Sequence, residues 1–132
     1  MAPADSYAAR PMDDNGPLDH LETFEAPAGC TRVRFSTDEL SSVCPLTGQP
    51  DISSLEIDYV PADRCIESKS LKRYLWSFRD RGIFAEGLAV EIADEVARAT
   101  GASGVRVIVT QHVRGGIVTE CTAERRNPLP RV

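Results

Sequence analysis

The period of the hydrophobic pattern changes twice along this chain, and that change restricts the possible folds more than any other feature. Thr31-Arg-Val-Arg-Phe-Ser36 alternates in period two and predicts a first strand, followed by a polar connector from Thr37 to Val43. Cys44-Pro-Leu-Thr-Gly-Gln-Pro-Asp51 holds two prolines and a glycine in eight residues, which predicts a constrained loop without regular structure. Leu55, Ile57 and Tyr59 then alternate with polar neighbours as a second strand, ended by Pro61 and paired with the first. From Ser68 the spacing becomes helical: Leu71, Leu75 and Phe78 recur about one turn apart with Tyr74 beside them, while Lys69, Lys72, Arg73, Arg79 and Asp80 fill the other positions. This helix is expected to end near Gly82. Leu88, Ile92, Val96 and Ala99 share one face of a second helix from about Ala85, with Gly101 as its stop. Period two returns in Val105, Val107 and Val109, and Arg114-Gly-Gly116 forms a turn into a fourth strand, Ile117 to Ala123.

The order strand, strand, helix, helix, strand, strand predicts an α+β fold, an antiparallel four-stranded sheet with both helices on one face. A length of 132 residues suits one such domain, expected over residues 31–124. Residues 1–30 carry Pro3, Pro11, Pro17 and Pro27 without periodicity and read as a flexible tail, and residues 125–132 as a short C-terminal one. No GxGxxG occurs, so a dinucleotide bound here would not use the strand-turn-helix phosphate site of doubly wound folds. A protomer this small also encloses little volume for two organic ligands, which favours a pocket between subunits.

Charge and composition narrow the partners. A net charge of −5 argues against direct binding of nucleic acid by general electrostatics. The first residues lack a basic flank followed by an apolar run, and no stretch is long enough to span a bilayer, so a cytoplasmic protein without a membrane partner is expected. In that compartment the four cysteines, Cys30, Cys44, Cys65 and Cys121, are expected as free thiols. His20 and His112 stand far apart, with no Cys/His pair at ligand spacing, so no metal site is expected.

Several residues can carry chemistry. Cys44 opens the stiffened loop and Asp51 closes it; a loop returning to the next strand brings a nucleophile and an acid into one pocket, although an incidental thiol and a turn aspartate account for the two residues at least as well. In Glu67-Ser-Lys-Ser-Leu-Lys72, Ser68 suits a helix N-cap, but Lys69 and Lys72 oppose the helix dipole and make more sense beside an anion such as phosphate. Arg114-Gly115-Gly116 reads first as a hairpin turn and second as a phosphate-contacting loop. Glu86 sits where a carboxylate favours the start of a helix.

Taken together, Cys44-Pro-Leu-Thr-Gly-Gln-Pro-Asp51, Glu67-Ser-Lys-Ser-Leu-Lys-Arg-Tyr74, Phe84-Ala-Glu86 and Arg114-Gly-Gly-Ile117 resemble the signatures of the QueF family, the NADPH-dependent 7-cyano-7-deazaguanine reductases of queuosine biosynthesis, in their short form. The resemblance covers about Val43 to Glu120. It implies the tunnelling fold and a homo-oligomer of two stacked pentameric rings with active sites between subunits. It also implies that Cys44 attacks the nitrile carbon to form a thioimide, that Asp51 protonates the nitrogen, and that two NADPH reduce the product to 7-aminomethyl-7-deazaguanine. Glu86 and Ala85 would meet the deazapurine together with Ile66, Glu67 and Ser68, while Ser68, Lys69, Arg114 and Gly115 would meet NADPH, with Lys72 as a further phosphate ligand.

One position departs from the family: a histidine usually stands where this chain has Ala85, which puts a proton-transfer step in doubt but leaves capture by Cys44 intact. Two alternatives accompany the reductase. An amidinotransferase of similar fold shares the cysteine and aspartate but lacks the lysine block, and a noncatalytic purine-binding module would need neither.

Overall fold

A computed structural model describes residues 16–126 of the chain. The elements follow in the order β1 (Thr23–Glu25), β2 (Val33–Val43), β3 (Pro50–Val60), β4 (Arg64–Ile66), α1 (Ser68–Trp76), α2 (Ala85–Thr100), β5 (Gly104–Arg114) and β6 (Ile117–Arg126). The four long strands form one antiparallel sheet in the order β2-β3-β5-β6, and the short β1 and β4 pair antiparallel beside it. Both helices lie against one face of the main sheet, as the order of periods predicts.

The core between them is built from the alternating residues of the strands and one stripe of each helix. Leu55, Ile57 and Tyr59 of β3 and Val105, Val107 and Val109 of β5 pack against Leu88, Ile92 and Val96 of α2 and against Tyr74 and Phe78. Each such side chain contributes about 1.5–3 kcal/mol of burial free energy. The opposite face of the sheet is charged, with Arg34 paired to Glu56 at 2.7 Å and Arg106 to Glu124 at 3.6 Å. Gly101 ends α2 at φ 65°, the left-handed conformation expected of a C-terminal stop, and its N–H donates to the Ala97 carbonyl at 3.0 Å. Gly115 and Gly116, at φ 59° and 81°, make the tight turn between β5 and β6.

The structure differs from the sequence reading in several places. Thr37 to Val43 is not a connector but the second half of β2. A register shift between Thr37 and Leu40 inserts a bulge, after which Leu40 and Ser42 take the buried positions and the alternation resumes out of phase. The constrained loop is shorter than eight residues, because Pro50 and Asp51 already belong to β3. Asp51 and Ser53 occupy buried positions there, where polar side chains hide the strand pattern, and proline is tolerated at a strand's first residue.

Helix α1 stops at Trp76, well before Gly82, since Ser77 turns its hydroxyl back onto the Tyr74 carbonyl at 2.6 Å and the chain continues through turns. Ser68 is not the cap of that helix. Glu67 is, its carboxylate accepting from the Lys69 and Ser70 amides at 2.9 and 2.8 Å.

Finally, residues 16–30, read as tail, are packed onto the domain. Leu21 is buried and its N–H donates to Glu95 Oε2 at 2.7 Å, while Arg73, expected on a solvent face, is buried beneath the segment and donates to the Gly16 carbonyl at 2.6 Å. Hydrogen bonds to the backbone, rather than periodicity, hold this segment, so the sequence pattern carries no trace of it. Arg125 and Arg126, assigned to the C-terminal tail, extend β6; the remainder of both tails lies outside the described residues.

Candidate active site

One end of the sheet gathers the chemistry. The Cys44 N–H donates to the Gln49 carbonyl and the Gly48 N–H to the Cys44 carbonyl, both at 2.9 Å, which closes residues 44–49 into a tight loop with Gly48 at φ 72°. The positive φ suits glycine there. Inside the loop the Cys44 thiol is held below its ordinary range, first by the Thr47 hydroxyl, then by the Thr47 and Leu46 amides, with Arg114 adding to them and burial opposing. Donors aimed at sulfur favour the thiolate, the form needed for nucleophilic attack.

Asp51 lies on the helix-covered face of β3, with its side chain only 3% exposed, and Arg114 pairs with it from the end of β5. A register shift between Gln111 and Arg114 breaks the alternation of β5 just before that arginine, and the Gly115-Gly116 turn follows it. The bulge and turn bring a guanidinium to a carboxylate that the pleat alone would not place opposite it.

The start of α2 reaches the same end of the sheet. Val43 accepts from the Ile83 N–H at 3.1 Å and donates to the Arg81 carbonyl at 2.9 Å, and Gly82 lies against Pro45 so closely that an added Cβ would stand 3.4 Å from its Cα. Three residues later Ala85 is buried and Glu86 exposed, in the first turn of α2. Glu86 also acts on a residue that the sequence did not single out. Burial first, then the Glu86 and Glu120 carboxylates, push the Cys121 thiol up and keep it protonated beside the site. Thr47 was missed as well; its position three residues after the cysteine, inside a proline- and glycine-bearing loop, is the signal that could have found it.

The structure thus brings together Cys44, Asp51 and Arg114, with Gly115 next in sequence to Arg114 and with Ala85 and Glu86 in the helical turn that follows the Ile83–Val43 hydrogen bond. Ile66 to Lys72 belong to a different part of the fold, at β4 and the start of α1. Ile66 is a core residue whose N–H donates to the Tyr59 hydroxyl at 2.8 Å, and burial pushes that phenol up to about 12. Glu67 spends its carboxylate on the helix cap. Ser68 and Lys72 line a groove of about 560 Å³ between α1 and β2, walled by Phe35, Leu71, Leu75 and Trp76. The groove follows β2 from Phe35 to Ser41, one residue short of Ser42, the register partner of Asp51, and neither Asp51 nor Cys44 is among its walls. Among the described residues neither Lys69 nor Lys72 has an ion-pair partner. No group of three or more His, Cys, Asp or Glu side chains among the described residues could hold a metal ion.

Comparison with known proteins points one way. A family model described as QueF-like protein matches residues 50–129. The chain is 45% identical over 114 residues to the NADPH-dependent 7-cyano-7-deazaguanine reductase of Alkalilimnicola ehrlichii, covering 85% of this chain and 88% of that one. It is 44% identical, over the same length and shares, to the protein of that name from Thioalkalivibrio sulfidiphilus. Among solved structures, the apo form of the archaeosine synthase QueF-Like superposes with a TM-score of 0.69 at 28% identity, over 80% of this chain and 100% of that one.

Proposed function

Because this chain belongs to the QueF-like protein family, we propose that it is an NADPH-dependent 7-cyano-7-deazaguanine reductase, forming 7-aminomethyl-7-deazaguanine for queuosine biosynthesis in the cytoplasm. What supports the assignment to residues is Arg114, which pairs with the buried Asp51 and bears on the Cys44 thiol, beside the segment hydrogen-bonded to Val43 that leads into the first turn of α2 and Glu86.

The Cys44 thiolate adds to the nitrile carbon; as the carbon–sulfur bond forms, one π pair moves to nitrogen, which takes a proton from Asp51 and leaves a thioimide. Glu86 accepts hydrogen bonds from the amino and ring N–H groups of the deazapurine, a donor face that an acceptor-only carboxylate matches. Ala85, where the family carries histidine, offers no proton, so any further transfer at that position passes through water. Taking nitrile to amine requires four electrons, and NADPH, when bound, supplies them as one hydride per cofactor, two cofactors in all. The residues fit that group: Lys72 and Ser68 line a groove with apolar and aromatic walls, suited to phosphate and to a flat ring, Lys69 shares their helical turn, neither lysine has an ion-pair partner among the described residues, and Arg114 and Gly115 would add contacts from the Cys44 end.

The walls of the lysine groove include none of Cys44, Asp51 and Glu86, which supports a site completed by a second copy, in a homo-oligomer of two stacked pentamers. Two further observations support it. β2 and β6 are long edge strands, which in a lone sheet leave a row of backbone groups unpaired, and pairing edges between copies removes it. Leu46, Phe84, Ile117 and Val118 expose apolar surface at or near the Cys44 end. No helix among the described residues is long and apolar enough to cross a membrane.

The test follows the NADPH absorbance after addition of 7-cyano-7-deazaguanine, with a Cys44→Ala control. Consumption of about two NADPH per nitrile, absent in the control, is the expected result. If no cofactor is oxidised and no mass adduct forms on Cys44, the reading is wrong.

A further inference from the structure

One arginine has two claims on it. Arg114 is the guanidinium paired with Asp51, and it is also among the residues assigned above to the cofactor. Both claimants are anionic, and although only Nη1 of the guanidinium is committed to Asp51, a phosphate drawing on its other donors competes for the same positive charge and weakens its hold on the carboxylate.

The neighbourhood of Asp51 makes this competition consequential. Its side chain is 3% exposed, while that of Arg114 is 41% exposed, so the cation faces outward over a buried acid. From β2 the register partner of Asp51 is Ser42, buried and uncharged. From the loop the ionisable neighbour is Cys44, whose sulfur also feels Arg114. The first turn of α2 carries Glu86, an anion that acts on Cys121. Among the described residues, Arg114 is the cation that pairs with Asp51. With it withdrawn, a carboxylate this buried has no countercharge among the described residues.

Resting on the assignment of Arg114 to NADPH, we propose that this guanidinium is shared between two states, neutralising Asp51 when the cofactor is away and passing to a cofactor phosphate when it is bound, so that cofactor binding and protonation of Asp51 are thermodynamically linked. The proton comes from solvent and no other bond changes. The chemical consequence is order: the acid that the nitrile nitrogen needs becomes loaded as the reductant arrives. Arg114 acts here as a positioning residue for Asp51. Linkage is reciprocal, so a carboxylate that competes for Arg114 must also weaken cofactor binding.

Calorimetric titration with NADP+, which cannot turn over, tests this on the intact protein in buffers of different ionisation enthalpy. The wild type is expected to take up a fraction of a proton on binding. Asp51→Asn is expected to take up none and to bind NADP+ about fivefold or more tighter. In the Arg114→Gln background binding is weaker, uptake is lost, and adding Asp51→Asn no longer tightens it, which separates competition for this arginine from general removal of negative charge. Binding without uptake, or equal affinity in wild type and Asp51→Asn, overturns the coupling while leaving the cofactor assignment standing. No NADP+ binding by the wild type overturns both.

Discussion

The guanidinium of Arg114 pairs with the carboxylate of Asp51 across 63 residues of sequence, and the pair joins the two ends of the chain's chemistry. Asp51 begins the strand that follows the nucleophile's loop, and Arg114 ends the strand that leads into the last hairpin. Because Arg114 also contributes to holding Cys44 below its ordinary range, one cation bears on both groups proposed to act on the nitrile.

The first prediction concerns Thr47. Its hydroxyl is the leading cause of the lowered Cys44 thiol, so removing it withdraws a donor from the thiolate and moves the titration upward. The pH midpoint of Cys44 alkylation by iodoacetamide should rise in Thr47→Val and stay near wild type in Thr47→Ser, which keeps the donor. An unchanged midpoint in the valine variant would sink this account of the thiol.

Glu86 is expected to hold the deazapurine. Replacing its carboxylate by the amide in Glu86→Gln removes a charged acceptor and offers a donor in its place, which should raise KM for the nitrile about tenfold or more with little change in KM for NADPH. The same variant should increase the reactivity of Cys121 toward thiol reagents, because one of the carboxylates that keep that thiol protonated is gone. Steady-state kinetics and mass mapping of alkylated cysteines read the two effects separately.

Lys72 lines the groove between α1 and β2, whose walls do not include Cys44. Lys72→Ala should raise KM for NADPH and flatten its dependence on salt, while the pH profile of Cys44 alkylation stays where it is. A shift of the alkylation profile instead would mean that the lysine acts on the nucleophile.

Gly101 tests the fold independently of function. Its φ of 65° is left-handed, and an added Cβ would meet only Asp63 Oδ1, at 3.8 Å, so the penalty for Gly101→Ala is one of backbone conformation rather than crowding. Urea denaturation at fixed protein concentration should show a loss of about 1 kcal/mol.

Where an element is decided locally, the sequence by itself determined it. Alternation in Val105, Val107 and Val109, the helical stripe Leu88, Ile92 and Val96, the stop at Gly101 and the turn at Gly115-Gly116 each follow from side-chain period or from backbone freedom within a few residues. The resemblance that named the reductase also rests on short motifs of that kind. Tertiary structure decided what those periods cannot express. The bulge between Thr37 and Leu40 puts Leu40 and Ser42 out of phase with the first half of β2, so the strand reads as a polar connector until its partner supplies the register. Asp51 and Ser53 look like loop because their burial depends on neighbours distant in sequence, and Glu67 rather than Ser68 caps α1 because the longer side chain folds back onto the amides. Arg73 is buried where residues 16–18 meet it, its Nε donating to the Gly16 carbonyl and its carbonyl accepting from the Leu18 N–H, contacts to backbone that leave no mark on the hydrophobic pattern. The pairing of Arg114 with Asp51 belongs to this second group. Each residue is legible as a candidate alone, but their meeting requires a bulge, a turn and the sheet order that sets β5 beside β3.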